Sequence, residues 1–128
     1  MPEAKTRMRR LLVVDDQADW RRTIKDIARP LGWIVAEAAN GRELKRCFDA
    51  IDPDFILLDM VMPEVDGFES LKWLAERSAR ARIAVMTGYA PHLAESAALV
   101  GNGLGASVVA TLQKPVPIGR LRKLLETC

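Results

Sequence analysis

A chain of 128 residues is sized for one domain around one hydrophobic core, and its 49% apolar and 28% charged shares are ordinary for a globular protein. A net charge of +2, with the basic residues scattered, gives no argument for nucleic-acid binding and reads as a solvated surface. No apolar run approaches the roughly 20 residues of a membrane span, and Cys47 and Cys128 have neither metal-ligand spacing nor the look of a secreted disulfide framework.

Short apolar runs alternate with amphipathic stretches along the chain. Leu11 to Val14 reads as a fully buried strand. Trp20, Ile24, Ile27, Ala28 and Leu31 then recur at helical spacing. Trp33 to Ala36 is a second strand, stopped by the turn pair Asn40-Gly41, and Leu44, Cys47, Phe48 and Ile51 mark a second helix. Phe55 to Leu58 is the third strand, followed by a helix through Phe68, Leu71 and Leu74. Ile83 to Met86 is the fourth strand, and a weaker helix covers roughly Pro91 to Val100. Val108 to Leu112 forms the last strand, and Ile118, Leu121 and Leu125 mark the last helix.

Five β-α units in series, with strands that are continuous apolar runs, imply a parallel sheet covered by helices on both faces. Right-handed crossovers leave few topologies. The expected one is a flavodoxin-like (βα)5 fold, a doubly wound five-stranded sheet of order 2-1-3-4-5, over a single domain spanning 1–128 with its core at about 9–125. Sites in such sheets form outside the carboxyl ends of the strands.

The residues after each strand carry the chemistry. Asp15 and Asp16 follow the first strand, Asp59 the third, Thr87 and Gly88 the fourth, and Lys114 and Pro115 the fifth. Glu37 ends the second strand, which lies at the edge and away from the crevice. Three crowded carboxylates repel one another unless a cation sits among them. Hard oxygen ligands suit Mg²⁺, and Lys114 can pair with a carboxylate or a phosphoryl oxygen. Thr87 can donate to the same oxygen, and Gly88 leaves space open. The set fits phosphoryl transfer, where positioning and charge neutralisation do most of the work.

LLVVDD at 11–16, FILLDMVMPEVDG at 55–67, VMTG at 85–88 and LQKP at 112–115 resemble the motifs of response-regulator receiver domains, and the resemblance runs from about Arg9 to Leu125. It implies that Asp59 accepts a phosphoryl group from a histidine kinase or a histidine phosphotransfer protein. It implies further that Asp16 ligates Mg²⁺ directly, that Asp15 acts mainly through metal-bound water, and that the Val61 carbonyl completes the protein's share of the shell. Thr87 and Lys114 would hold phosphoryl oxygens, and the Lys114–Pro115 bond would be cis. Such a domain is a cytoplasmic switch that catalyses only its own phosphorylation and dephosphorylation, with no direct contact to membrane or nucleic acid. No output domain follows Cys128, so the chain reads as a single-domain regulator or a receiver cut from a longer protein.

Two features depart from the family pattern. Thr111 stands where an aromatic residue usually does, three residues before the lysine, and the glycine-rich stretch 101–105 lengthens the approach to the last strand. Tyr89 and a rearrangement of 90–105 are the expected substitutes in switching. Asp19, Trp20, Thr23, Val116 and Pro117 are the expected contacts for the phosphodonor. Trp33 and Trp73 read as packing residues, and the single His92 excludes a histidine cluster.

Three other readings compete. A phosphatase of the haloacid-dehalogenase type needs a second acid two residues after the nucleophile, where Val61 stands. A flavin or nucleotide module needs a Gly-rich or Ser/Thr-rich loop after the first strand, where 16–19 reads DQAD. A pseudo-receiver would not need the full set of Asp15, Asp16, Asp59, Thr87 and Lys114.

Overall fold

The computed structural model describes residues 8–61, 67–77, 80–88 and 91–127, the side chains of 91–94 excepted. Parallel strands β1 (Arg9–Val14), β2 (Trp33–Ala38), β3 (Phe55–Asp59), β4 (Arg82–Thr87) and β5 (Ser107–Gln113) form one sheet of order β2-β1-β3-β4-β5. Helices α1 (Ala18–Ala28), α2 (Gly41–Ile51), α3 (Gly67–Arg77), α4 (Pro91–Gly103) and α5 (Ile118–Thr127) make the connections. This is the flavodoxin-like arrangement that the alternation of elements implies.

Side chains alternate across each strand, so the sheet has two separate cores. Leu12, Val14, Ile56, Leu58, Ile83 and Val85 pack with Leu44, Phe48, Leu71 and Leu74 beneath α2, α3 and α4. Leu11, Val13, Phe55, Leu57, Ala84 and Met86 pack with Ile24, Ala28, Leu121 and Leu125 beneath α1 and α5. β3 is buried along its whole length, as are the apolar residues of β1 and β4, because both faces are covered. The edge strands are less covered: Ile34 on β2 and Val109 on β5 stand exposed.

Several local choices fix the element ends. Asn40 does more than turn the chain: its Oδ1 accepts from the Glu43 N–H (2.9 Å), while Glu43 Oε1 accepts from the Ala39 N–H (2.6 Å). This reciprocal cap starts α2. Pro30 cannot continue α1, which gives way to one 3₁₀ turn, Arg29–Leu31, closed by Gly32 at φ +97°.

The glycines at 101–103 end a helix that reaches further than the expected Val100 boundary. A Cβ at Gly101 would lie 2.8 Å from Leu71 Cδ2 and 2.9 Å from Val108 Cγ2, so glycine there lets the helix approach the sheet closely. Asn102 then holds the edge strand, its Oδ1 accepting from Val108 N–H and its Nδ2 donating to Val108 O. The extra length before Lys114 is partly absorbed by a bulge: Ile83 pairs with Val108 but Ala84 with Ala110, leaving Val109 as the additional residue.

Candidate functional site

β1, β3, β4 and β5 end side by side at one edge of the sheet. Asp15 leaves β1 with its backbone N–H donating to Ala38 O (3.0 Å), which ties the turn to the end of β2. Its buried side chain is fully engaged. Oδ1 accepts from the Gln17 N–H at 2.8 Å, and Oδ2 accepts from Lys114 Nζ at 2.6 Å. Asp16, the next residue, is exposed.

Asp59 ends β3 and is buried. Its Oδ1 accepts from the Val61 N–H (3.0 Å) and its Oδ2 from Lys114 Nζ (3.3 Å). Lys114 thus bridges two carboxylates, and Gln17 Oε1 lies 3.5 Å from the same ammonium. Thr87 is buried at the end of β4, and its carbonyl accepts from the Lys114 N–H, which fixes the base of the lysine. The Lys114–Pro115 peptide bond is cis. A Cβ added at Gly88 would meet only Lys114 Cβ, at 3.9 Å, so the space there is open.

Burial pushes the Asp59 carboxyl above the ordinary aspartate value, and the Asp15 charge adds to the effect. The Val61 N–H and the Lys114 ammonium oppose it. Asp15, Asp16 and Asp59 each offer one oxygen, and these three atoms lie within 4.8 Å of one another. An all-oxygen set of three carboxylates is the donor chemistry that a hard divalent cation takes. Asp15 and Asp59 each have both oxygens hydrogen-bonded, with Lys114 shared between them, whereas the Asp16 carboxylate stands exposed beside the pair.

Asp15, Asp16, Asp59, Val61, Thr87 and Lys114 lie at or just beyond these strand ends. Met62, Pro63 and Asp66 of the third motif, and Tyr89 and Ala90 of the switching expectation, lie outside the described residues. Thr111 is half-buried on β5, where its carbonyl accepts from Arg120. Gln17, Ala18, Asp19, Trp20 and Thr23 line a cleft of about 490 Å³ beside the acids. Trp20 is both wall and packing residue, since it also rests against the core beneath α1. Val116 is a correction to the expected contacts: it is buried in that core with Leu121 and Leu125, so it cannot meet a partner. Trp33 and Trp73 do pack, Trp33 donating from Nε1 to Leu125 O and Trp73 meeting Phe48 edge-on at 5.5 Å.

Residues the motifs do not reveal are Arg21 and Glu37. Arg21 Nη1 donates to the Asp15 carbonyl at 2.6 Å, and Arg21 Nε donates to Glu37 Oε1 at 3.0 Å. One signal was available. A cation near the N-terminal end of a helix opposes the helix dipole, so an arginine at that place in α1 suggests a specific partner.

The family model described as "Response regulator receiver domain" matches residues 11–126. The chemotaxis protein CheY of Bacillus subtilis is 43% identical over 75 residues, covering 58% of this chain and 62% of that protein. CheY of Listeria monocytogenes is 39% identical over 77 residues, covering 59% of this chain and 65% of the relative. The aligned stretch therefore spans less than two thirds of either relative. Among solved structures, a CheY-like receiver domain protein from Methanospirillum hungatei superposes with a TM-score of 0.82 at 25% identity, over 94% of this chain and 93% of that one. Because the family match runs from within β1 to within α5 and takes in the whole cluster at the strand ends, the chain belongs to the receiver-domain family of two-component response regulators.

Proposed function

We propose that residues 1–128 form one receiver domain that takes a phosphoryl group from a phosphohistidine onto Asp59 in a Mg²⁺-dependent reaction. The donor is a sensor histidine kinase or a histidine phosphotransfer protein. The observation that carries this reading is the Lys114 ammonium set between Asp15 (2.6 Å) and Asp59 (3.3 Å) beside the exposed Asp16.

Asp59 Oδ attacks the phosphorus in line; the new P–O bond forms as the P–N bond to the donor histidine breaks, and the imidazole leaves. The Val61 N–H holds Asp59 Oδ1, which orients the carboxylate. Lys114 gives up part of its contact with Asp59 and takes a phosphoryl oxygen, while Asp15 keeps it in place. The Thr87 hydroxyl donates to a second phosphoryl oxygen. Asp16, Asp59 and the Val61 carbonyl would hold the cation directly, with Asp15 acting through water. A bound Mg²⁺ supplies the positive charge that offsets the carboxylates and the transferred group. Small-molecule donors should serve as well, since the chemistry resides in this chain: acetyl phosphate with Mg²⁺ labels the protein, while EDTA or Asp59→Asn abolishes the label. Full labelling of Asp59→Asn would overturn the assignment. The domain is a switch, its only turnover being its own phosphorylation and dephosphorylation. It acts in the cytoplasm and regulates a protein partner or output domain, without binding nucleic acid or membrane itself.

A further inference from the structure

Asp15 has a partner on every polar atom, and one of the four bonds comes from a side chain of α1. The Ala38 carbonyl, the Gln17 N–H and the Lys114 ammonium account for its N–H, Oδ1 and Oδ2. The fourth bond is Arg21 Nη1 on the backbone carbonyl, at 2.6 Å. That carbonyl belongs to the planar peptide unit joining Asp15 to Asp16. Holding its oxygen restrains the plane, and the plane places the Cα from which the Asp16 side chain starts.

Arg21 is itself held. Its Nε sits on Glu37 Oε1 at 3.0 Å, and the second Glu37 oxygen is taken by Lys25 Nζ at 2.6 Å. The side chains of Arg21, Lys25 and Glu37 are 16%, 26% and 30% exposed, so solvent screens this group only in part. Lys25, followed by Arg21, keeps the Glu37 carboxyl below its usual range, against a burial effect that opposes them. Glu37 pairs in register with Val13 on β1, two residues before the Asp15 turn. The planar guanidinium can span a carboxylate and a carbonyl at once, which a lysine ammonium at the same place does less well.

We propose that Arg21, held from behind by Glu37, is a positioning residue that locks the Asp15–Asp16 peptide and so sets how the acidic cluster takes a divalent cation. This rests on the reading of Asp15, Asp16 and Asp59 as a Mg²⁺ site. The edge strand β2 thereby reaches the site through two side chains although it contributes no ligand.

The test is calorimetric titration with Mg²⁺, alongside amide hydrogen exchange at residues 16–18 in metal-free protein. Outer partners of metal ligands are worth about 10- to 100-fold in affinity. Arg21→Met keeps the apolar stem and should weaken Mg²⁺ about tenfold while speeding exchange at 16–18. Glu37→Ala should act in the same direction by a smaller factor, and Arg21→Lys should fall between wild type and Arg21→Met. Lys25→Met shares the Glu37 contact but does not touch Asp15, and should leave affinity and exchange near wild type. If Arg21→Met does not fold, Arg21→Lys provides the same comparison. Wild-type affinity and exchange in the arginine variants, or equal losses in Lys25→Met, would overturn the positioning role and leave a structural ion pair. A wild-type protein that takes up no Mg²⁺ would instead contradict the cation reading itself, and the inference with it.

Discussion

Asp59 is buried next to a second acid, so its proton is held more tightly in the folded chain than in the unfolded one. A carboxyl whose folded pKa is raised favours the fold below the ordinary aspartate value, and this contribution is lost as pH rises through the folded value. Asp59→Asn removes the charge and keeps the size. In metal-free buffer at neutral pH the variant should unfold at a higher urea concentration than wild type. The gap should close as pH falls into the ordinary aspartate range, and Mg²⁺ should narrow it by stabilising only the wild type. A less stable Asp59→Asn at neutral pH would contradict the account. As a wall of the cleft beside the acids, Trp20 should anchor the phosphodonor. Trp20→Ala should slow transfer from a phosphohistidine protein about tenfold or more, while acetyl phosphate labelling stays near wild type. Equal loss with both donors would mean that packing is its whole role. The acids and Lys114 are legible in the sequence because apolar strand runs fix where the strands end. The Arg21–Glu37 pair is not, because an ion pair between a helix and an edge strand leaves no periodic trace. Val116 misleads for a related reason: it follows the cis proline like a loop residue, yet its side chain turns into the core.

Gly67, at the start of α3, ties an element to the site. A Cβ there would lie 2.5 Å from Met60 Cα and 2.6 Å from Met60 O, and Met60 directly follows Asp59. Backbone cannot yield as a flexible side chain can. Gly67→Ala should therefore cost about 1–3 kcal/mol, as overpacking does, and should slow acetyl phosphate labelling by moving the Asp59 loop. Wild-type stability in urea would show that the helix shifts freely. α4 is the element where pattern reading falls short. Its glycines read as a break, whereas Gly101 packs against Leu71 and Val108 and the helix runs on to Gly103. Close backbone approach needs glycine, and composition alone does not distinguish that use from a loop. Still, the described part of α4 buries only Ala97 and Gly101, with Leu99 and Val100 exposed. An element with so few large buried anchors is among the easier ones to rearrange. Beryllofluoride with Mg²⁺ should change amide exchange within 91–105 more than within α2. Unchanged protection there would place the switch elsewhere.

At the scale of the whole molecule, two cores hold one sheet rigidly, and the strand ends converge at its carboxyl edge. The doubly wound topology follows from strand burial and crossover handedness, which is why the order 2-1-3-4-5 is readable in advance. Rigidity matters to the proposed chemistry because little covalent work is asked of the protein beyond placement. The carboxylates of Asp15 and Asp59 come from β1 and β3, and the ammonium between them from the end of β5. If this convergence makes Asp59 the phosphoacceptor, incubating the protein with a phosphorylated histidine donor and locating the transferred group by mass spectrometry will find it there. The expected result is a single acyl phosphate on Asp59, formed only with Mg²⁺ and missing in Asp59→Asn. A phosphoryl group on another residue, or equal transfer to Asp59→Asn, would contradict it.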